Sequence, residues 1–159
     1  MHRRQLLAIA TTLALLPLPA LADDAATAVV EADVAAWNAH YATRRRSTSP
    51  RTSPYYDASV GIPVTGREAA KAGVIDNFLT AAPNAAWKVK GTPVSDGNHV
   101  AFEWEFSGTN TGSWGDGTAA TGKPFAFTRA SMFSVKDGKI AAQSDYYDAL
   151  GFYKQLGLM

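Results

Sequence analysis

The sequence predicts an α+β fold, a curved antiparallel sheet with helices packed on its concave face, and three observations carry that expectation. Apolar residues recur at helical intervals only in the first half of the chain. After Pro83 the pattern changes to alternation, with Phe102, Trp104 and Phe106 interleaved by Glu103, Glu105 and Ser107. Gly-rich turns then divide the second half into strand-length runs, and a short amphipathic segment closes the chain. Helices laid on one face of a curved sheet enclose a cone-shaped cavity.

The first 22 residues read as an export signal rather than as part of the fold. Arg3 and Arg4 form a basic start, Leu6 to Leu16 an apolar run, and Ala20-Leu21-Ala22 a small-residue cleavage site. Cleavage after Ala22 places the mature protein in the periplasm or outside the cell. Arg3-Arg4 followed by Gln-Leu-Leu suits a twin-arginine route as well as the general secretory one. The apolar run is too short to span a bilayer, so no retained membrane anchor is expected. Residues 23–159 are then a single domain of 137 residues.

Within that domain, residues 24–43 predict a helix, because Val30, Val34, Trp37 and Tyr41 form one stripe. The Ser/Thr/Pro-rich stretch 44–54 ends it as a loop. A short run, Tyr55 to Ile62, leads to a second helix, with Thr65 as N-cap and Glu68 completing a capping box. Pro83 stops that helix. Ala86 to Val94 and His99 to Gly108 are strands joined at Asp96-Gly97-Asn98. Phe125 to Val135 and Lys139 to Tyr147 form a hairpin through Lys136-Asp137-Gly138. Asp148 caps a last helix that ends near Gly157.

Composition excludes several chemistries. The chain has no Cys and three His; His2 lies in the signal, and His40 and His99 stand far apart without ligand spacing, so neither a metal site nor a thiol nucleophile is expected. Two of the 15 Lys+Arg and none of the 14 Asp+Glu fall in the signal, which leaves the mature domain at −1. Nothing suggests a nucleic-acid surface. Arg44-Arg45-Arg46 with Arg51 reads as a solvated loop.

Asp145 is the leading candidate for chemistry. It stands near the end of the last strand, between Ser144 and the pair Tyr146-Tyr147, in a segment poor in charge. A lone acid facing an apolar cavity has a raised pKa and can move protons. Its plain alternative is an ion pair with Arg129 across the hairpin, or bonds from backbone N–H groups. Trp37, Trp104, Phe106 and Phe127 are candidate cavity walls. Tyr41, Tyr56 and Tyr147 are candidate hydroxyl donors toward an enolate oxygen, and Asn110 and Ser131 could orient a bound carbonyl.

The runs TGREAAKAGVIDNFLTAAPNAAWKVK, FSGTNTG, TGKPFAFTRASMFSVKDGKI and DYYDALGFYKQLG, in that order, resemble the SnoaL-like branch of the nuclear-transport-factor-2-like (NTF2-like) superfamily. That branch includes polyketide ester cyclases; wider relatives are ketosteroid isomerases and scytalone dehydratase. The resemblance covers residues 28–158 and implies the NTF2-like cone, cofactor-free chemistry and a homodimer through the outer sheet face. It also implies a last-strand aspartate as general acid/base for aldol closure, and the matching position is Asp145. Where such cyclases carry a histidine this chain has Ser131, and Asn110 stands in a turn that often reads GTHTG. Two readings stay open: an exported cyclase or isomerase acting on a small hydrophobic carbonyl compound, and a non-catalytic binding protein on the same scaffold.

Overall fold

The structure, a computed structural model, describes residues 20–40 and 53–159. The cleavage signal up to residue 19, Tyr41 and the 44–51 arginines lie outside the described residues. Helix α1 (Ala20–Asn38) buries Ala26, Val30, Val34 and Trp37 on one face. It stops five residues short of the expected end because Asn38 is stapled to the sheet. The Asn38 amide donates to the Trp87 carbonyl at 3.0 Å and accepts from Trp87 N–H at 2.7 Å. His40, at φ 55°, then turns the chain and sets its Nε2 3.0 Å from the Ala85 carbonyl.

Strands β1 (Pro54–Asp57) and β2 (Val64–Thr65) precede a helical segment α2, which spans 67–81 and contains a π-turn at Lys71–Ile75. The expected capping box does not form. Thr65 pairs with Pro54 in β2, and Gly66, at φ 91°, makes the bend into the helix without a side-chain cap. That backbone conformation suits glycine, which has no Cβ to clash. The long strands follow: β3 (Ala86–Ser95), β4 (His99–Thr109), β5 (Pro124–Lys136) and β6 (Lys139–Tyr147), then helix α3 (Ala149–Leu156).

The sheet order is β2-β1-β6-β5-β4-β3. Neighbours are antiparallel except β1 and β6, which run parallel with Asp57 opposite Asp145. The sheet thus has six strands where the sequence marked four strands and one short run. A two-residue strand carries no periodicity, and the β1–β6 pairing joins residues some ninety positions apart, which no local pattern reports. The β5–β6 turn has both central residues, Asp137 and Gly138, at positive φ, as a tight hairpin requires.

Alternation decides the core. Val100, Phe102, Trp104 and Phe106 of β4 point inward and are buried with Trp37, Phe78, Phe125, Phe133, Phe152 and Leu156. Trp104 stacks on Trp87 and Phe78 meets Phe106 edge-on at 5.4 Å. Asp148 caps α3 by accepting from Gly151 N–H at 2.8 Å, and Gly157 closes it in the left-handed conformation. No helix of the described residues is long and apolar enough to cross a membrane.

Candidate functional site

The inward face is interrupted by a polar belt. On β5 the inner positions run Phe125, Phe127, Arg129, Ser131, Phe133, so two polar residues replace apolar ones mid-strand. Pairing brings Ser131 opposite Asp145 and Arg129 opposite Tyr147 on β6, while β1 adds Tyr55 and Asp57 on the other side. Two carboxylates with different partners result.

Asp145 is fully buried and held by neutral donors. Its Oδ1 accepts from Ser131 Oγ at 2.6 Å, its Oδ2 from Tyr55 OH at 2.7 Å, and Gln143 Nε2 lies 3.2 Å from both. Trp104 Nε1 donates to Ser131 Oγ at 2.7 Å, which commits the hydroxyl proton to Asp145. Burial pushes the Asp145 carboxyl above its ordinary range; the Arg129 charge and the Ser131 and Tyr55 hydroxyls draw it back in part, while Asp57 adds to the rise.

Asp57 takes the cation instead. Its Oδ2 accepts from Arg129 Nη1 at 3.2 Å, in an ion pair whose two side chains are almost wholly buried. Its Oδ1 accepts from Tyr147 OH at 2.7 Å and from Ser59 Oγ and N–H at 2.5 and 2.9 Å. Burial holds the Tyr147 phenol well above its ordinary value, so Tyr147 stays a donor. The Arg129 guanidinium lies within 3.8 to 5.1 Å of the ring centres of Tyr147, Phe106, Phe127, Trp104 and Phe78.

A cleft of about 510 Å³ opens beside this belt, lined among others by Ser59, Asn77, Phe78, Trp114, Phe152 and Tyr153. Ser59 joins the cleft to Asp57, and Phe78 joins it to the rings around Arg129.

The structure brings together Trp104, Phe106, Phe127, Ser131, Asp145 and Tyr147 of the candidates named from sequence. Trp37 lies behind them against Trp87 and Phe106. Tyr56 does not reach the interior: one position off in the alternation, it sits on the outer face against Tyr146 at 5.3 Å, and Tyr55 is the inward hydroxyl. Asn110 is corrected too. Its amide donates to the Ala81 and Gly112 carbonyls and accepts from Thr121 N–H and Oγ, so it ties the 110–122 loop to α2 rather than facing a guest. The expected competitor, an Asp145–Arg129 ion pair, gives way to Asp57–Arg129. Sequence reasoning missed Tyr55, Asp57, Ser59 and Gln143. The available signal was the alternating run Tyr55-Tyr56-Asp57, which puts a hydroxyl and a carboxylate on one face. Among the described residues no group of three His, Cys, Asp or Glu side chains is placed to hold a metal.

A family model described as SnoaL-like polyketide cyclase matches residues 27–156. Among solved structures, a candidate SnoaL-like polyketide cyclase of Jannaschia sp. CCS1 superposes with a TM-score of 0.76 at 14% identity, covering 88% of this chain and 96% of that one. A candidate polyketide cyclase of Xanthomonas campestris pv. campestris gives 0.72 at 19% identity over 85% and 98%. A Catenulispora acidiphila protein with a ketosteroid isomerase-like fold, solved with trimethylamine, gives 0.68 at 23% identity over 81% and 92%. At these identities the likeness concerns the fold. No curated protein matches the sequence.

Proposed function

This chain belongs to the SnoaL-like polyketide cyclase family, and from that premise we propose that it binds a small hydrophobic carbonyl compound in its cone and moves a proton on it. The observation that supports this most is Asp145: a buried carboxyl, free of the Arg129 ion pair, whose partners are all neutral. Burial raises its pKa above the ordinary carboxyl range; as the carboxylate it takes a proton from the carbon next to the carbonyl and, as the acid, returns it to another atom. Isomerisation and intramolecular aldol closure both need that sequence. Ser131, Tyr55 and Gln143 hold the carboxyl in place. No bound cofactor is required for it.

Hydrogen exchange tests the reading without knowing the natural substrate. A panel of hydrophobic ketones and esters is incubated with the protein in D2O, and loss of the α-carbon protons is followed by NMR. Exchange should fall by a factor on the order of 10² or more in Asp145→Asn. Undiminished exchange in the mutant would move the chemistry elsewhere. The second reading, a non-catalytic binding protein, is favoured by the complete burial of Asp145; it gains if a panel compound raises the melting temperature while no exchange occurs.

The proposal extends to setting and assembly. Residues 1–22 are the signal that would carry the domain out of the cytoplasm, and a homodimer would form through the outer sheet face. On that face Lys88 and Lys90 stand opposite Glu105 and Glu103, so the β3–β4 half neutralises itself. The β5–β6 half is uncharged around Met132 and Tyr146, 59% and 49% exposed, with Ala142, Ser134 and Ser144 beside them. A contact there would be drier than the glutamates alone suggest.

A further inference from the structure

Arg129 is buried to 3% exposure, yet only Nη1 of its guanidinium meets an acceptor; Nε and Nη2 are buried with no hydrogen-bond partner among the described residues. Buried donors are almost always paired, and an unpaired pair on a charged group calls for an explanation. The surrounding rings offset part of the desolvation through their faces, with Tyr147 at 3.8 Å. Rings do not substitute for an acceptor in the plane of the N–H edge. That edge, Nε–H with Nη2–H, is the fork that receives carboxylate or other oxyanions side-on.

Position adds to this. Arg129 is opposite Tyr147 and Asp145 is opposite Ser131, so Arg129 and Asp145 are diagonal neighbours on the same inner face. Diagonal neighbours stand about 7–8 Å apart. Phe78 stands 5.1 Å from the Arg129 guanidinium and also lines the cleft, so it links the surroundings of the fork to open space.

We propose that the Nε–Nη2 edge of Arg129 recognises the ligand's oxygen as an oxyanion, a carboxylate or an enolate, on a planar apolar molecule that enters from the cleft past Phe78. The inference rests on the cone being a ligand site, and it assigns the oxygen-binding role to Arg129 rather than to a tyrosine. Asp57 engages Nη1 as a resident anion and leaves Nε and Nη2 without an acceptor.

The probes are 2-naphthoate and its neutral isostere 2-naphthamide, titrated into the full chain with tryptophan fluorescence as the readout. The wild type should bind 2-naphthoate at least ten-fold more tightly than 2-naphthamide. Arg129→Met should lose that preference while its 2-naphthamide affinity stays within about three-fold. Asp57→Asn, which frees Nη1 and removes the competing anion, should bind 2-naphthoate several-fold more tightly; this variant carries the test should Arg129→Met not fold. No binding of 2-naphthoate, equal affinities in the wild type, or an unchanged or weaker affinity in Asp57→Asn overturns the proposal. Asp145→Asn should keep the preference, so loss of α-carbon exchange chemistry and loss of oxyanion recognition are separate outcomes.

Discussion

Asp145 accepts hydrogen bonds from three neutral side chains and has no counter-ion of its own. Its folded pKa is raised above the unfolded value of 3.8. The stability it contributes is therefore fully present below 3.8 and is lost as pH rises through the folded pKa. Asp145→Asn removes the titration, so urea midpoints should shift in the mutant's favour as pH climbs from 3 to 8. A wild-type–mutant gap that stays flat across that range would mean the carboxyl is not shifted. Asp145 itself was legible in the sequence, because a lone acid in an aromatic, charge-poor strand end is conspicuous. Ser131 was named with it, and Gln143, two residues away on the same strand face, could have been. Tyr55 and the Arg129–Asp57 ion pair were not legible, because they depend on β1 lying beside β6, and register between distant strands leaves no mark in either segment.

At the scale of elements, the segments that declared themselves carry their determinants locally. The alternation of Phe102, Trp104 and Phe106 is enough to orient β4, and Asp148 with Gly157 brackets α3. Thr65 misled for a physical reason: its backbone was claimed by β2 pairing, and Gly66 took over the turn. The π-turn at Lys71–Ile75, which brings Lys71 onto Asp76 five residues on, also escaped, since helical pairs are read at spacings of three and four. The 110–122 loop is fixed to α2 by close contact as well as by Asn110. A Cβ on Gly112 would lie 2.0 Å from the Thr80 carbonyl oxygen, and that oxygen is backbone. Gly112→Ala should therefore destabilise the domain by about 1–3 kcal/mol, read as a lowered urea midpoint with unchanged m-value. A midpoint equal to wild type would show that the end of α2 yields freely.

For the whole molecule, the exposed Met132 and Tyr146 on the outer sheet face make assembly testable. Met132→Glu places a charge there and should turn a dimer into a monomer by light scattering at micromolar concentration, with the melting temperature of the monomer unaffected. A wild type that is already monomeric at that concentration would remove the outer-face contact. Export is tested separately: intact mass of periplasmic material should begin at Asp23 or within a residue or two, and Arg3→Lys with Arg4→Lys should block it only on the twin-arginine route. Uncleaved protein confined to the cytoplasm would count against the signal.

The parallel pairing of β1 with β6 has a consequence for how the chain closes. Strands β3 to β6 join through hairpins of near neighbours in sequence, whereas β1 must wait for a strand that emerges from the ribosome long after it. Such late, non-local contacts are slow to form because loop closure precedes any reward. Until β6 arrives, Tyr55 has no Asp145 and Asp57 no Tyr147 to meet, and the polar belt is incomplete. The hairpin-linked part of the sheet therefore precedes the site, and the last residues made, including Phe152 and Leu156, close the core around both.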